Sequence, residues 1–301
     1  MIIPPKLKKS DTIGIVSTAR KISLAELKPA INIIESWGLK IKLGANLFEE
    51  DNQFSGDILQ RTSDLQRMID DESIKAVLCA RGGYGTVQII DKIDFSKLIK
   101  NPKWIIGYSD VTVLHSHLNT LGVATMHATM PINFLTNTKQ ALESLKKTLF
   151  GYTSILEYDT HPFNKLGIAE GEIVGGNLSI FYSLLGSNSD INTAGKILFI
   201  EDLDEYLYHI DRMMMNLKRN GKFEKLRAII VGGMNDMNDN DIPFGKSAEQ
   251  IILEHTNEFD FPICFGFPAG HLNDNRAILL GTKSKVEIAA KKVIFSNNFQ
   301  Q

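Results

Sequence analysis

The sequence predicts an α/β protein built in two halves, and three observations carry that expectation. Short apolar runs recur along the first third of the chain, at Thr12–Ser17, Leu39–Leu43, Ile74–Ala80 and Trp104–Gly107, with loops and helical spacings between them. The periodicity fades between 136 and 166, where Thr, Asn, Lys and a His161-Pro162 pair dominate. Strand-like and helical stretches then resume. Repeated strand, loop and helix argue for a parallel sheet covered by helices, with the loops at the carboxyl ends of its strands forming the site. The expected divisions are a first domain over residues 1–135, a linker over 136–166 and a second α/β domain over 167–301.

In chain order, Thr12–Ser17 reads as a strand, and Ser23-Leu24-Ala25-Glu26 has the capping-box pattern that opens a helix towards Trp37, closed by Gly38. Leu39–Leu43 reads as the second strand. A polar loop at Glu49–Gly56 leads to a helix over Asp57–Asp71, with Ile58, Leu65, Met68 and Ile69 near helical spacing. Ile74–Ala80 is a third strand, running into Arg81-Gly82-Gly83-Tyr84-Gly85 before an expected helix over Thr86–Ile93. Trp104–Gly107 is the fourth, and it turns at Ser109-Asp110 into a helical pattern carried by Val111, Leu114 and Leu118. In the second half, Gly171–Asn177 reads as a strand entering the helix Leu178–Leu185, and Lys196–Ile200 as a buried strand ending in Glu201-Asp202-Leu203-Asp204-Glu205. A helix over Tyr208–Leu217 puts Ile210, Met213, Met214 and Leu217 on one face, as core. Arg227–Val231 and Ile263–Phe267 are further strands, and Ser247–Gln250 repeats the capping-box pattern. The tail from Ala277 to Phe295 alternates like β-structure, with a hairpin-like turn at Gly281–Lys285.

Composition narrows the partners. A chain of 301 residues with 43% hydrophobic and 23% charged residues is an ordinary globular protein, and a net charge of −2 gives no electrostatic reason to expect nucleic acid or an acidic membrane surface. The start, MIIPPKLKKSD, has no apolar signal core, and no later run approaches a membrane span, so the cytoplasm is the expected compartment. Cys79 and Cys264 sit in apolar runs away from any paired spacing and read as buried free thiols. No metal-binding histidine spacing occurs, and neither metal nor cofactor is expected.

Chemistry concentrates at the strand ends. A strand turning directly into a helix lifts one side chain above the sheet; here that side chain is Ser109, and the N–H of Asp110 points outward from the first helical turn, where it can stabilise an oxyanion. Gly107-Tyr108-Ser109-Asp110-Val111 fits only the first glycine of the G-x-S-x-G elbow, so helix capping by Ser109 and Asp110 stands as the alternative. The glycines of 82–85 lack the pattern of a P-loop; they form either a tight turn or, through Gly83, a second oxyanion donor. Among the seven histidines, His271 follows a proline and two small residues just after a buried strand, which presents it to a site. His127 is the rival base, while His115, His117, His209 and His255 read as packing or surface residues. Ser109, Glu201 and His271 then offer nucleophile, orienting carboxylate and base, each at a predicted strand end.

Taken together, Arg81-Gly82-Gly83-Tyr84-Gly85, Gly107-Tyr108-Ser109-Asp110, Gly175-Gly176-Asn177-Leu178, the strand ending in Glu201 with Asp211-Arg212 after it, and Gly270-His271 resemble the LD-carboxypeptidase family of serine peptidases over nearly the whole chain. The resemblance implies a flavodoxin-like N-terminal domain and a mixed C-terminal domain with the site between them, a Ser109, Glu201, His271 triad, no metal, and a homodimer. Arg81, Gly82, Tyr84, Asn177 and Arg212 become the candidate substrate-binding residues, with Arg81 and Arg212 the cations available for a terminal carboxylate. The implied reaction removes the terminal D-alanine from cytoplasmic murein tetrapeptides during cell-wall recycling. A branch of the family instead cleaves peptide–nucleotide antibiotics of the microcin C type; no inserted loop that would grip an adenine stands out, so it ranks second. A catalytically silent binding protein on the same fold is the reading from another class.

Overall fold

The computed structural model describes residues 1–152 and 154–297; Thr153, in the expected linker, and residues 298–301, at the end of the expected second domain, lie outside the described residues. The first half alternates as anticipated: β1 (Thr12–Val16), α1 (Leu24–Ser36), β2 (Lys40–Leu43), α2 (Ile58–Asp70), β3 (Ile74–Cys79), α3 (Ser96–Lys100), β4 (Trp104–Gly107), α4 (Thr112–Thr120) and β5 (Thr125–His127). Both long helices begin on capping boxes, Ser23 with Glu26 and Asp57 with Gln60. All neighbouring pairs among these strands are parallel, in the order β2-β1-β3-β4-β5. That is the flavodoxin-like order, whose connections reverse direction between β1 and β3.

The pleat explains why these strands read as unbroken apolar runs. Ile15, Leu78 and Ile106 point to the face covered by Leu27, Ile31 and Ile34 of α1, whereas Val77, Cys79 and Ile105 point to the face covered by Leu65, Met68 and Leu114. Both faces are buried, so alternation disappears.

The second half comprises α5 (Lys139–Leu149), β6 (Ser154–Asp159), β7 (Gly167–Asn177), α6 (Leu178–Ser183), β8 (Ile197–Leu203), α7 (Leu207–Arg219), β9 (Ala228–Asn235), α8 (Ala248–Thr256), β10 (Ile263–Cys264), β11 (Ile278–Leu280), β12 (Lys283–Ile288) and β13 (Lys292–Asn297). A seven-stranded sheet runs β10-β9-β8-β7-β12-β13-β6. It is parallel from β10 to β7 and antiparallel from β7 to β6. Met213, Met214, Ile251 and Ile252 from α7 and α8 cover one face of its parallel part.

Four expectations are corrected. Residues 136–166 are not simply a linker: α5, capped by Thr138, buries Leu145 and Leu149 in the first half's core, and β6 pairs with β13 in the second sheet. The expected helix at Thr86–Ile93 is two single 3-10 turns, Thr86–Gln88 and Ile90–Lys92: Thr86, Ile89 and Ile90 are buried at the expected spacing, but the Thr86 N–H at the start of the segment is taken by the Asp110 carboxylate. The strand expected to reach Phe267 ends at Cys264, because Gly266 takes a left-handed φ of +70°. Gly281–Lys285 is no hairpin turn: β11 leaves to pair antiparallel with β5 of the first sheet, and the hairpin lies between β12 and β13. A strand from the second half thus closes the edge of the first sheet. Among the described residues no helix is long and apolar enough to cross a membrane.

Candidate active site

After β4 the chain extends through Tyr108 and then turns sharply at Ser109, whose φ of 62° is left-handed, before a single 3-10 turn feeds α4. A non-glycine residue in that conformation is strained, and a serine on a strand-to-helix turn is the geometry that exposes a nucleophile at the top of a sheet. The cap alternative loses its physical basis, since the Ser109 side chain faces the second half of the protein.

There it meets His271. The Nε2 of His271 lies 3.1 Å from Ser109 Oγ, and its Nδ1 lies 2.7 Å from Glu201 Oε2. With the Nδ1 proton donated to the carboxylate, Nε2 is left to accept from the serine hydroxyl. Glu201 Oε2 also accepts from the His271 backbone N–H at 3.0 Å, which fixes the ring against the carboxylate. Gly270 is required here: its φ is +103°, and a Cβ at that position would stand 2.6 Å from Glu201 Oε2.

Strand alternation would turn only one of Glu201 and Asp202 inward. A register irregularity between Ile200 and Asp202, opposite β9, turns both in, leaving Glu201 at 0% and Asp202 at 1% exposure. The two carboxyls nevertheless behave differently. Burial raises the proton affinity of Glu201, but the facing His271 and its hydrogen bonds outweigh that and hold it below its ordinary value. Asp202 makes no ion pair among the described residues, and burial together with the Glu201 charge pushes it up to about 7. For His271, burial works against the charged form, yet the Glu201 charge and hydrogen bond raise its pKa above 6.5.

The 81–85 loop lies alongside Ser109. A Cβ on Gly82 would stand 3.3 Å from Ser109 Oγ. Asp110 anchors this loop, its buried carboxylate accepting from Thr86 N–H at 2.9 Å. Arg61, 2% exposed, fastens the other side by donating to Thr18 O and Gly85 O, each at 3.0 Å, and its charge partly offsets the buried Asp110.

A cleft of about 440 Å³ opens onto these groups, lined by Arg20, Arg81, Gly82, Gly83, Ser109, Asn177, Asp202, Asp204 and His271 among others. A larger depression of about 790 Å³ around Arg227 and Lys283 contains none of Ser109, Glu201 and His271, so chemistry rather than size points to the candidate site. The sequence candidates divide accordingly. Gly82 and Gly83 line the cleft. Arg81 does too, but its guanidinium donates to Lys21 O at 3.3 Å and lies 3.8 Å from Glu26. Asn177 caps α6 and donates to Asp202 at 2.8 Å, so its amide shapes the wall. Tyr84 is 46% exposed, packs near Phe54 and is not part of the lining. Arg212 lies on α7 with its guanidinium 5.2 Å from the Tyr208 ring centre, also away from the cleft. His127 is fully buried against Phe199, with a pKa lowered to about 4 by burial, and does not touch Ser109; it is no rival base. Arg20 and Asp204 are cleft residues that the sequence reading missed. No cluster of His, Cys and carboxylate side chains suited to a metal occurs among the described residues.

Fold and site together define an α/β serine hydrolase, with a serine exposed on a strand-to-helix elbow. Residues 13–128 match the LD-carboxypeptidase N-terminal domain and residues 170–286 the LD-carboxypeptidase C-terminal domain, and the chain belongs to this family. It is 38% identical, over 97% of its own length and 93% of the relative's, to a probable murein peptide carboxypeptidase of Bacillus subtilis. It is 26% identical, over 91% and 92% of the two chains, to the murein tetrapeptide carboxypeptidase of Pseudomonas aeruginosa. In fold it is similar to the crystal structure of muramoyltetrapeptide carboxypeptidase from Oxalobacter formigenes, with a TM-score of 0.87, 23% identity and coverage of 95% and 98%. It is equally similar to the microcin C7 self-immunity protein MccF, with a TM-score of 0.89, 23% identity and both chains covered in full.

Proposed function

We propose that this protein is a serine LD-carboxypeptidase that removes the terminal D-alanine from murein tetrapeptides, with Ser109 as nucleophile, His271 as base and Glu201 as its orienting carboxylate. The observation that carries the reading is the continuous hydrogen-bonded path from Ser109 Oγ through His271 to the buried Glu201. In the first step Ser109 Oγ attacks the carbonyl of the L-centre that bears the D-alanine, and its proton passes to His271 Nε2. The charge on the carbonyl oxygen is met by backbone N–H groups, those of Asp110 and Gly83 being the candidates. Collapse of this intermediate expels D-alanine as its amine takes the proton from His271, leaving an acyl-serine. Water, deprotonated by the same imidazole, then releases the tripeptide and restores Ser109. Glu201 stays ionised throughout and stabilises the transient imidazolium.

The relatives named for murein peptides support this substrate class. The likeness to MccF supports a common fold, and makes cleavage of a peptidyl-nucleotide the second reading. An assembled triad argues against a silent binder. The family resemblance supports a cytoplasmic homodimer as the working form. Incubation with purified murein tetrapeptide, followed by mass analysis, should show loss of one alanine. No loss from the tetrapeptide, with cleavage of a peptidyl-adenylate analogue instead, would move the chain to the second reading.

A further inference from the structure

We propose that Arg20, in the loop after β1, is the cation that pairs with the free carboxylate of the substrate's terminal residue. The proposal rests on the carboxypeptidase reading above, because only an exopeptidase of this polarity needs that group recognised. Water is largely displaced from a filled cleft, and a carboxylate left there without a partner is strongly disfavoured. A guanidinium meets it with two parallel donors.

Two arginines line the cleft, Arg20 and Arg81, and they differ in what already occupies them. The Arg81 guanidinium is engaged with Lys21 O and neighbours the Glu26 carboxylate. Arg20 is exposed, and its guanidinium makes no hydrogen bond or ion pair among the described residues. Its position is nevertheless fixed. The backbone N–H of Arg20 donates to Gly82 O at 3.4 Å, and its carbonyl accepts from Ser17 Oγ at 2.5 Å. Its side chain lies across Gly83, where a Cβ would stand 2.5 Å from Arg20 Cδ and 2.7 Å from Nε. The neighbouring Gly82 borders Ser109, so the guanidinium is held over the loop beside the nucleophile. A substrate whose scissile carbonyl meets Ser109 would carry its terminal carboxylate just past the scissile nitrogen, towards that region.

The cleft also carries the other sign, in Asp204 just past the end of β8. A peptide entering this cleft is sorted by charge, its terminal carboxylate drawn to the Arg20 side and repelled from the carboxylate side. The order of the first sheet accounts for the placement: β1 and β3 are neighbours at the point where connections change direction, so the loops that follow them, 17–20 and 80–85, share one rim.

The test compares kcat/KM for the tetrapeptide with that for its C-terminal amide, in the wild type and in Arg20→Gln, Arg20→Lys and Arg81→Gln. The wild type should prefer the free acid. Arg20→Gln should shrink that preference by about 10- to 100-fold, mainly through KM, as loss of hydrogen bonds to a charged group entails. Arg20→Lys should restore part of it, and Arg81→Gln should keep the wild-type ratio. Arg20→Gln losing activity on acid and amide alike would reveal a role in holding the loop and overturn the proposal, as would a ratio that moves only in Arg81→Gln. Binding of the tetrapeptide to Ser109→Ala by calorimetry separates the two layers. Without hydrolysis by the wild type or binding by this variant, the substrate reading falls and Arg20's role with it; hydrolysis with an unchanged ratio in Arg20→Gln removes only the latter.

Discussion

Replacing Glu201 with Gln isolates the charge of the triad carboxylate from its shape. Oε2 accepts two bonds, from His271 Nδ1 and from the His271 backbone N–H, while Oε1 is buried without a partner. A glutamine can keep its oxygen on the two donors and place its amide nitrogen where Oε1 stands, so the fold should persist. What disappears is the attraction between a fully buried carboxylate and the imidazolium formed in the transition state. With charge centres about 4 Å apart and an effective dielectric near 20, that attraction is about 4 kcal/mol. At about 1.4 kcal/mol per factor of ten, kcat should fall by about three orders of magnitude. The pH profile carries a second signature. In the wild type Glu201 holds the His271 pKa above 6.5 against the burial that would lower it. Only the neutral imidazole can act as base, so the acid limb of kcat/KM should lie above 6.5 in the wild type. In Glu201→Gln burial prevails, and the limb should move to lower pH. D-alanine release measured from pH 5 to pH 9 reads both effects. A loss of less than tenfold, or an acid limb that stays in place, would refute the assigned role of Glu201.

Three further outcomes follow from the same geometry. Ser109→Ala should abolish turnover, with a loss of several orders of magnitude, while circular dichroism and melting temperature stay near wild type; substantial residual activity would return Ser109 to a capping role. An L,D tetrapeptide ending in D-alanine should be hydrolysed, and its L-alanine counterpart, its C-terminal amide and a pentapeptide ending in D-alanyl-D-alanine hardly at all, because a pocket shaped for one hand misplaces the other's carboxylate; equal rates would indicate a general amidase. Asp202→Asn should leave activity within tenfold but flatten the pH dependence of stability. The folded carboxyl titrates near 7 against an ordinary 3.8, so the unfolded chain ionises first and wild-type stability declines as pH rises through that window, by at most about 4 kcal/mol. Melting temperatures of wild type and variant that run parallel from pH 4 to pH 8 would contradict this.

Ser109, Glu201 and His271 were legible as candidates because each stands at the end of an apolar run, where side chains face a site in a parallel sheet. The choice between Glu201 and Asp202 was not derivable from alternation, which turns only one inward; a bulge, invisible in the sequence, turns both. Arg20 escaped notice because its meaning depends on strand order: it follows β1, and only the adjacency of β1 and β3 puts it on the rim with the glycine loop. The helix α5 was hidden by its lysines, although Ala141, Leu145 and Leu149 repeat every four residues. β11 has three residues and pairs with a strand some 150 positions earlier, a contact that no local pattern encodes.

Those long-range contacts bear directly on the chemistry, because Ser109 belongs to one sheet and both Glu201 and His271 to the other half. A proton transfer across 3.1 Å tolerates little drift between them. Three ties limit it. β11 stitches the second half to the edge of the first sheet. Close behind Ser109 in the chain, the Asn177 N–H donates to Thr112 Oγ1 at 3.0 Å, joining the end of β7 to the start of α4. Further back, Lys196 donates to both Asn119 and Glu172, and Asn119 donates to Glu172, closing a polar triangle between α4 and the second sheet. The elbow supplies the strain that presents Ser109, and these ties supply the rigidity that keeps His271 opposite it. The proposed nucleophile and base, carried by the two halves, can therefore work as one unit.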